Sequence, residues 1–233
     1  MKIEPKIIYE DNHIIVVIKP HNIAVQEDSS EDTDMLTIIK DFIKARDNKA
    51  GNVFLGLVHR LDRPTGGVMV FAKTSKAASR LSSQLKDKKL KKKYFCVVNG
   101  RPQIASDRLV TYLKKDEKTN TVSIAPKLEE GAKEAILEYE LIETKSDLSL
   151  ISVNLITGRS HQIRVQMASQ LNAPIFGDFK YGDKAHGGHL ALWAYELTFT
   201  HPTTKQELRF NVLPDFSNKA FALFENTITK LIK

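Results

Sequence analysis

Asp62 stands between two arginines in the stretch His59-Arg60-Leu61-Asp62-Arg63-Pro64-Thr65-Gly66-Gly67. A carboxylate mounted this way can serve as a nucleophile or as a base. Pro64 fixes its own φ, and Gly66 and Gly67 permit turns closed to other residues. The apolar run Val53-Phe54-Leu55-Gly56-Leu57-Val58 precedes the stretch and Val68-Met69-Val70-Phe71-Ala72 follows it. Both runs read as buried strands, and a loop held by two core strands is a stiff mount for a reactive side chain. The same residues are also ordinary turn formers, and on residue types alone that plainer reading is the stronger.

A second concentration of chemistry lies at residues 86–93, where six of eight side chains are lysines around Asp87 and Leu90. Such a run is commonly a solvated surface. Its place between a helix and a strand makes Lys88, Lys89, Lys91 and Lys92 candidates for phosphate contact. The single cysteine, Cys96, lies in Tyr94-Phe95-Cys96-Val97-Val98 and reads as a small core residue, and it excludes an intramolecular disulfide. His186 and His189 lack nearby carboxylate or thiolate support for a metal and read as loop residues, so no metal is expected. His201, before Pro202, reads as the cap of a turn.

The elements that must position these groups follow from periodicity. Residues 13–18 form a β-branched run that Lys19-Pro20 ends, because proline cannot continue a ladder. Thr33 or Asp34 caps a helix with Leu36, Ile39, Phe42 and Ile43 on one face, and Thr74 caps another with Ala78, Leu81 and Leu85 inward. Residues 109–113 and 121–124 suggest a hairpin, as do 135–142 with 148–156 and 193–200 with 207–212. A helix is predicted over 160–171, with Ile163, Met167 and Leu171 as its apolar stripe. A terminal amphipathic helix carries Phe221, Leu223, Phe224 and Ile228. The fold class is α+β: one domain, 1–233, with a largely antiparallel mixed sheet flanked by helices and loops.

The chain has 233 residues, a hydrophobic fraction of 42% and a net charge of +7. That suffices for a real core and suits a polyanionic partner. No apolar run approaches a membrane span, and no signal-peptide pattern opens the chain, so a cytoplasmic protein is expected.

Four ordered segments resemble the RluA-type pseudouridine synthases. His59-Arg60-Leu61-Asp62 followed by Thr65-Gly66-Gly67 is similar to that family's His-Arg-Leu-Asp-x-x-Thr-Ser-Gly, with Gly66 in place of serine. Lys93-Tyr94-Phe95 resembles its lysine–tyrosine segment. Thr157-Gly158-Arg159-Ser160-His161-Gln162-Ile163-Arg164 resembles its Thr-Gly-Arg-x-His-Gln-Ile-Arg. Gly177-Asp178-Phe179-Lys180-Tyr181-Gly182 resembles its Gly-Asp-x-x-Tyr-Gly. The Lys-Pro pair closing an early strand fits as well. The separate RNA-binding domain that family members often carry before these segments is not expected here.

The resemblance implies isomerisation of uridine in structured RNA, a ribosomal or transfer RNA stem-loop, by a monomer with no cofactor. The N1–C1′ bond breaks, the base turns, and C5 joins C1′ with redox state unchanged. Asp62 then takes the role of nucleophile, at C1′ or C6 or along a glycal route. Arg164 becomes its expected partner, since an arginine favours the ionised carboxylate and fixes its direction. Tyr94 is a candidate to stack on uracil and to act as base at C2′ or C5, against the plainer role of a sheet aromatic. Arg60, two residues from Asp62, projects to the same side in extended backbone and is a candidate to fill the space of a flipped-out base. His59 then faces the other way as a structural hydrogen bonder. His161 and Gln162 divide evenly between RNA contact and helix-start packing. Two other readings compete: a non-catalytic RNA-binding or ribosome-assembly protein on the same fold, and a carboxylate-dependent enzyme of small molecules. The nucleophile argues against the first and the excess positive charge against the second.

Overall fold

The computed structural model describes residues 3–28, 30, 32–182 and 189–232, so His186 lies outside the described residues. In chain order the elements are β1 (Lys6–Glu10), β2 (Ile14–Lys19), α1 (Met35–Arg46), β3 (Gly56–Leu57), β4 (Gly66–Ala72) and α2 (Ser75–Lys86). There follow β5 (Lys91–Asn99), β6 (Ser106–Asp116), β7 (Thr121–Ile124), β8 (Lys133–Lys145), β9 (Leu148–Leu155) and α3 (Gln162–Gln170). The chain closes with β10 (Leu192–Thr200), β11 (Glu207–Asn211), α4 (Lys219–Ala222) and α5 (Glu225–Ile232). Contacts divide it into two compact units, Met1–Lys91 with Glu196–Val212, and Lys92–Tyr195 with Leu213–Lys233.

In the first unit β2 pairs antiparallel with both β1 and β4, and β3 adds to β4. Strand β4 is buried along its whole length, Gly66 to Ala72, as a continuous apolar run requires. The caps fall where residue chemistry placed them. Asp34 accepts from Thr37 N at the start of α1, and Thr74 accepts from Ala77 N at the start of α2. Each such cap contributes about 1 kcal/mol. The helices bury Met35, Ile38, Ile39 and Ile43, and Ala77 and Leu81. The 53–58 run is not the strand expected of it. Only Gly56–Leu57 pairs, and Phe54 is 51% exposed. A Cβ on Gly56 would lie 2.9 Å from the Ala78 Cβ, so α2 packs directly on this backbone. The β10·β11 ladder closes at Thr200↔Glu207 around the 201–204 turn. There the buried His201 accepts from Thr203 N and Thr204 N through Nδ1 and meets Asp11 Oδ2 through Nε2 at 2.8 Å, which makes it the turn cap expected.

In the second unit the antiparallel ladders run β5·β9, β9·β8, β8·β6 and β6·β7. The predicted hairpins are all present, and the class is α+β with largely antiparallel strands. Helix α3 is not a striped surface helix. Its residues 162–167 are buried all round, while Leu171, the expected end of the stripe, is a half-buried cap. An enclosed helix tolerates polar residues only if they find partners. Gln166 accordingly donates to Thr111 Oγ1 at 3.0 Å and to Ala135 O at 3.3 Å. The terminal helix is broken into α4 and α5. Phe221, Phe224 and Ile228 are fully buried, while Leu223, the cap at the break between the two helices, is 41% exposed. Cys96 is fully buried and its thiol pKa is raised by desolvation, as suits a core residue.

Candidate active site

The Asp62 loop is built by short-range chemistry in the first unit. Thr65 N donates to Asp62 O at 2.9 Å and closes a turn over Arg63-Pro64. His59 and Leu61 are buried, Arg60 is exposed and Asp62 half-buried, which is the alternation of extended backbone. His59 accepts the Val70 backbone N–H at Nε2, 3.2 Å away, and so fastens the loop to β4. Arg63 reaches outward to Asn22 O, Asp28, Ser30 and Asp32. His21 donates Nδ1–H to Pro64 O at 2.8 Å.

Beneath the loop lies Lys19, whose side chain is fully buried. Its ammonium donates to Pro20 O and to Arg63 O, both at 3.0 Å, so the end of β2 is tied to the residue next to Asp62. Burial pulls the Lys19 pKa down to about 7, the Asp62 charge opposing this and Arg63 adding to it. The lysine opposes Gly67 in the β2·β4 register, where the glycine takes φ 129°. In sequence Lys19-Pro20 marks only the end of a strand. Burial of its charge is a tertiary fact.

The second unit gathers Arg164, His161, Asp178 and Tyr181. Arg164, on α3, donates from Nε to Asp178 Oδ2 at 2.8 Å and from Nη2 to Oδ1 at 2.7 Å. Both side chains are almost wholly buried, at 7% and 0% exposure. Burial alone would raise the Asp178 pKa. The Arg164 guanidinium and the backbone N–H groups of Lys180 and Tyr181 outweigh it and hold the carboxyl below its usual range. The Arg164 guanidinium lies 5.1 Å from the centre of the Tyr181 ring. Tyr181 accepts from Val122 N at 2.8 Å and shares a 2.6 Å hydrogen bond with His161 Nδ1. His161 enters α3 from the left-handed region at φ 51°. A Cβ on Gly182 would lie 2.9 Å from Asp178 O, so the turn that presents Asp178 requires glycine there. Asp178 and Tyr181 stand in the Gly177-Asp178-Phe179-Lys180-Tyr181-Gly182 segment, whose residue types alone assign them no role. Fourteen residues separate Asp178 from Arg164, and no local periodicity links them.

The other predicted residues fall as follows. Tyr94 is 4% exposed on β5. Gln162 is buried and accepts from Thr157 Oγ1 and Arg159 N through Oε1. Lys88, Lys89 and Lys91 are exposed, and Lys88 and Lys89 lie just past the C-terminus of α2, their backbone N–H groups bonding back to Leu85 O and Gln84 O. Lys92 is different: it is 8% exposed. Asp62, Arg60, Lys88, Lys89 and Lys91 belong to the first unit, and Lys92, Tyr94, His161, Gln162 and Arg164 to the second. Among the described residues, no group of three or more His, Cys, Asp or Glu side chains is placed to hold a metal ion, and no helix is long and apolar enough to cross a membrane.

A carboxylate held on a fastened loop of an α+β scaffold is fit for nucleophilic or acid–base chemistry, and similarity to known proteins gives the class. Residues 13–169 match the family described as RNA pseudouridylate synthase, and the chain belongs to that family, whose members convert uridine in RNA to pseudouridine. It is 34% identical over 224 residues to the ribosomal large subunit pseudouridine synthase C of Buchnera aphidicola subsp. Baizongia pistaciae, covering 90% of this chain and 67% of that protein. It is 33% identical over 223 residues to the ribosomal large subunit pseudouridine synthase D of Neisseria meningitidis serogroup A, covering 90% of this chain and 58% of that one. The chain thus spans about two thirds or less of these relatives. The fold matches the human RNA pseudouridylate synthase domain containing 4 with a TM-score of 0.75 at 22% identity, over 91% of this chain and 89% of that one.

Proposed function

We propose that this chain isomerises uridine to pseudouridine in large-subunit ribosomal RNA, with Asp62 as the nucleophile. The supporting observation is the half-buried Asp62, presented on a turn that Lys19 and His59 anchor, inside the stretch matched to the family. The carboxylate engages the nucleotide while the N1–C1′ bond breaks and C5–C1′ forms. The proton on C5 leaves to a base and N1 gains one, so neither oxidant nor reductant is consumed. Tyr94 and Arg164 are the further catalytic candidates, Tyr94 as the base and Arg164 as a fixed positive charge. Arg60, being exposed next to Asp62, suits a flipped-base role. The exposed lysines at 88, 89 and 91 add sequence-independent attraction to phosphates.

The test uses purified protein and transcripts carrying tritium at C5 of uridine. Tritium released from large-subunit ribosomal RNA, followed by mapping of the modified position, is the expected result. Release from transfer RNA alone would move the substrate, and release from neither would overturn the reading.

A further inference from the structure

We propose that Lys92, Gly158 and Gln162 form a notch for one backbone phosphate of the bound RNA, distinct from the exposed lysines that precede it. This rests on the reading that the chain acts on RNA. Lys92 projects from β5, and a Cβ built on Gly158 would lie 3.1 Å from its Nζ, so the ammonium is lodged against the 157–162 turn. Among the described residues that ammonium has neither a hydrogen-bond acceptor nor a counter-charge. Burial pulls its pKa down to about 8, with no charged group opposing.

The same turn holds a second orphan. Gln162 is 2% exposed, and its Oε1 accepts from Arg159 N at 3.0 Å and Thr157 Oγ1 at 2.8 Å. Because the Arg159 N–H can only donate, the amide orientation is set, and Nε2 is the end left without a partner. His161 gives the start of α3 no side-chain cap. The ammonium of Lys92, a residue only 8% exposed, and the enclosed Gln162 Nε2 therefore adjoin a helix N-terminus with no acceptor among the described residues. Buried donors without acceptors are costly, and a charged one more so. A phosphodiester brings two acceptor oxygens and one negative charge, which answers both. A uracil carbonyl would leave the ammonium's charge uncompensated. Glycine at 158 keeps the approach open.

The test uses the full chain and a synthetic uridine-loop hairpin, with binding measured across a potassium chloride series. Lys92→Met is expected to weaken binding about tenfold, the loss of one charged hydrogen bond. It should also lower the salt slope by roughly 0.7, the share of one single-strand phosphate. Its melting temperature should hold or rise, since an unpaired buried charge is removed. Gly158→Ala, which keeps the lysine but crowds its ammonium, should weaken binding in the same direction. Neutral methylphosphonates placed one at a time in the loop should reveal one position that matters to the wild type and not to Lys92→Met. An unchanged slope, or no such position, overturns the notch, as does a Lys92→Met protein that binds normally but melts early. Binding is read independently of tritium release. Isomerisation with an unchanged slope therefore sinks the notch alone, and the expected slope change without isomerisation sinks the proposed reaction alone.

Discussion

Arg164 grips Asp178 through two parallel hydrogen bonds of 2.8 and 2.7 Å, and both groups are almost wholly removed from solvent. The pair joins α3 to the 177–182 turn, and Tyr181 from that turn packs against the apolar cluster of Leu113, Val122, Ala135 and Val165. A buried ion pair is weak evidence of stability, but removal of one partner leaves an uncompensated charge.

Asp178→Asn is therefore expected to destabilise the protein by about 3–5 kcal/mol at neutral pH. Its pH dependence has a definite sign. The folded pKa of Asp178 lies below its ordinary 3.8, so its contribution is present above 3.8 and lost as pH falls through the lower, folded value. Urea melts should show the gap between wild type and variant narrowing in acid below that point. A gap that stays constant with pH would show that the charge is not the source.

Asp62→Asn keeps the side-chain shape and removes the nucleophile. Single-turnover isomerisation of one defined RNA should fall by about 10⁴-fold or more. RNA affinity and thermal melting should change little, because Asp62 is half-buried at a loop and its turn is closed by its backbone carbonyl, which asparagine retains. A near-normal rate would remove Asp62 from the chemistry.

Lys19 predicts the same pH sign in a different window. Its folded pKa of about 7 lies below the ordinary 10.5, so between these values the unfolded chain holds the proton and the folded chain does not. Stability from this group rises with pH across that window, and the burial cost is full below it. Lys19→Met lacks the titration. Wild type should gain stability relative to the variant as pH rises from about 7 toward 10.5, measured as the difference in urea midpoints.

Replacing the exposed Lys88, Lys89 and Lys91 by Gln should reduce the salt slope of RNA binding by roughly 2 if each meets one single-strand phosphate. The measurement is Kd over a salt series. Lys88 and Lys89 also sit at the negative end of the α2 dipole, so a small drop in melting temperature with an unchanged slope would make them helix-terminal charges only.

What the sequence by itself determined was local. Turn formers marked the Asp62 loop, side-chain oxygens at Asp34 and Thr74 marked helix starts, and β-branched alternation marked the hairpins. Each of these is decided by residues within a few positions, where backbone preference and hydrogen bonding act directly. Family motifs pointed to Asp62, Tyr94 and Arg164 because ordered spacing survives without any structure. What the tertiary structure decided was every choice between equivalent local options. An apolar run does not say whether it will pair, so residues 53–58 yielded a strand only at Gly56–Leu57. Helical spacing did not choose between Leu223 and its neighbours until the buried face was set. Among residues 86–93, only the fold separates the buried Lys92 from the exposed Lys91, because adjacent side chains of a strand point to opposite faces and packing decides which face is inside. The Arg63 carbonyl that holds Lys19 lies 44 residues away in sequence, and the Asp178 carboxylate that meets Arg164 lies 14 away. Electrostatic partnership depends on distance in space and on the removal of water, and neither exists until the chain has folded.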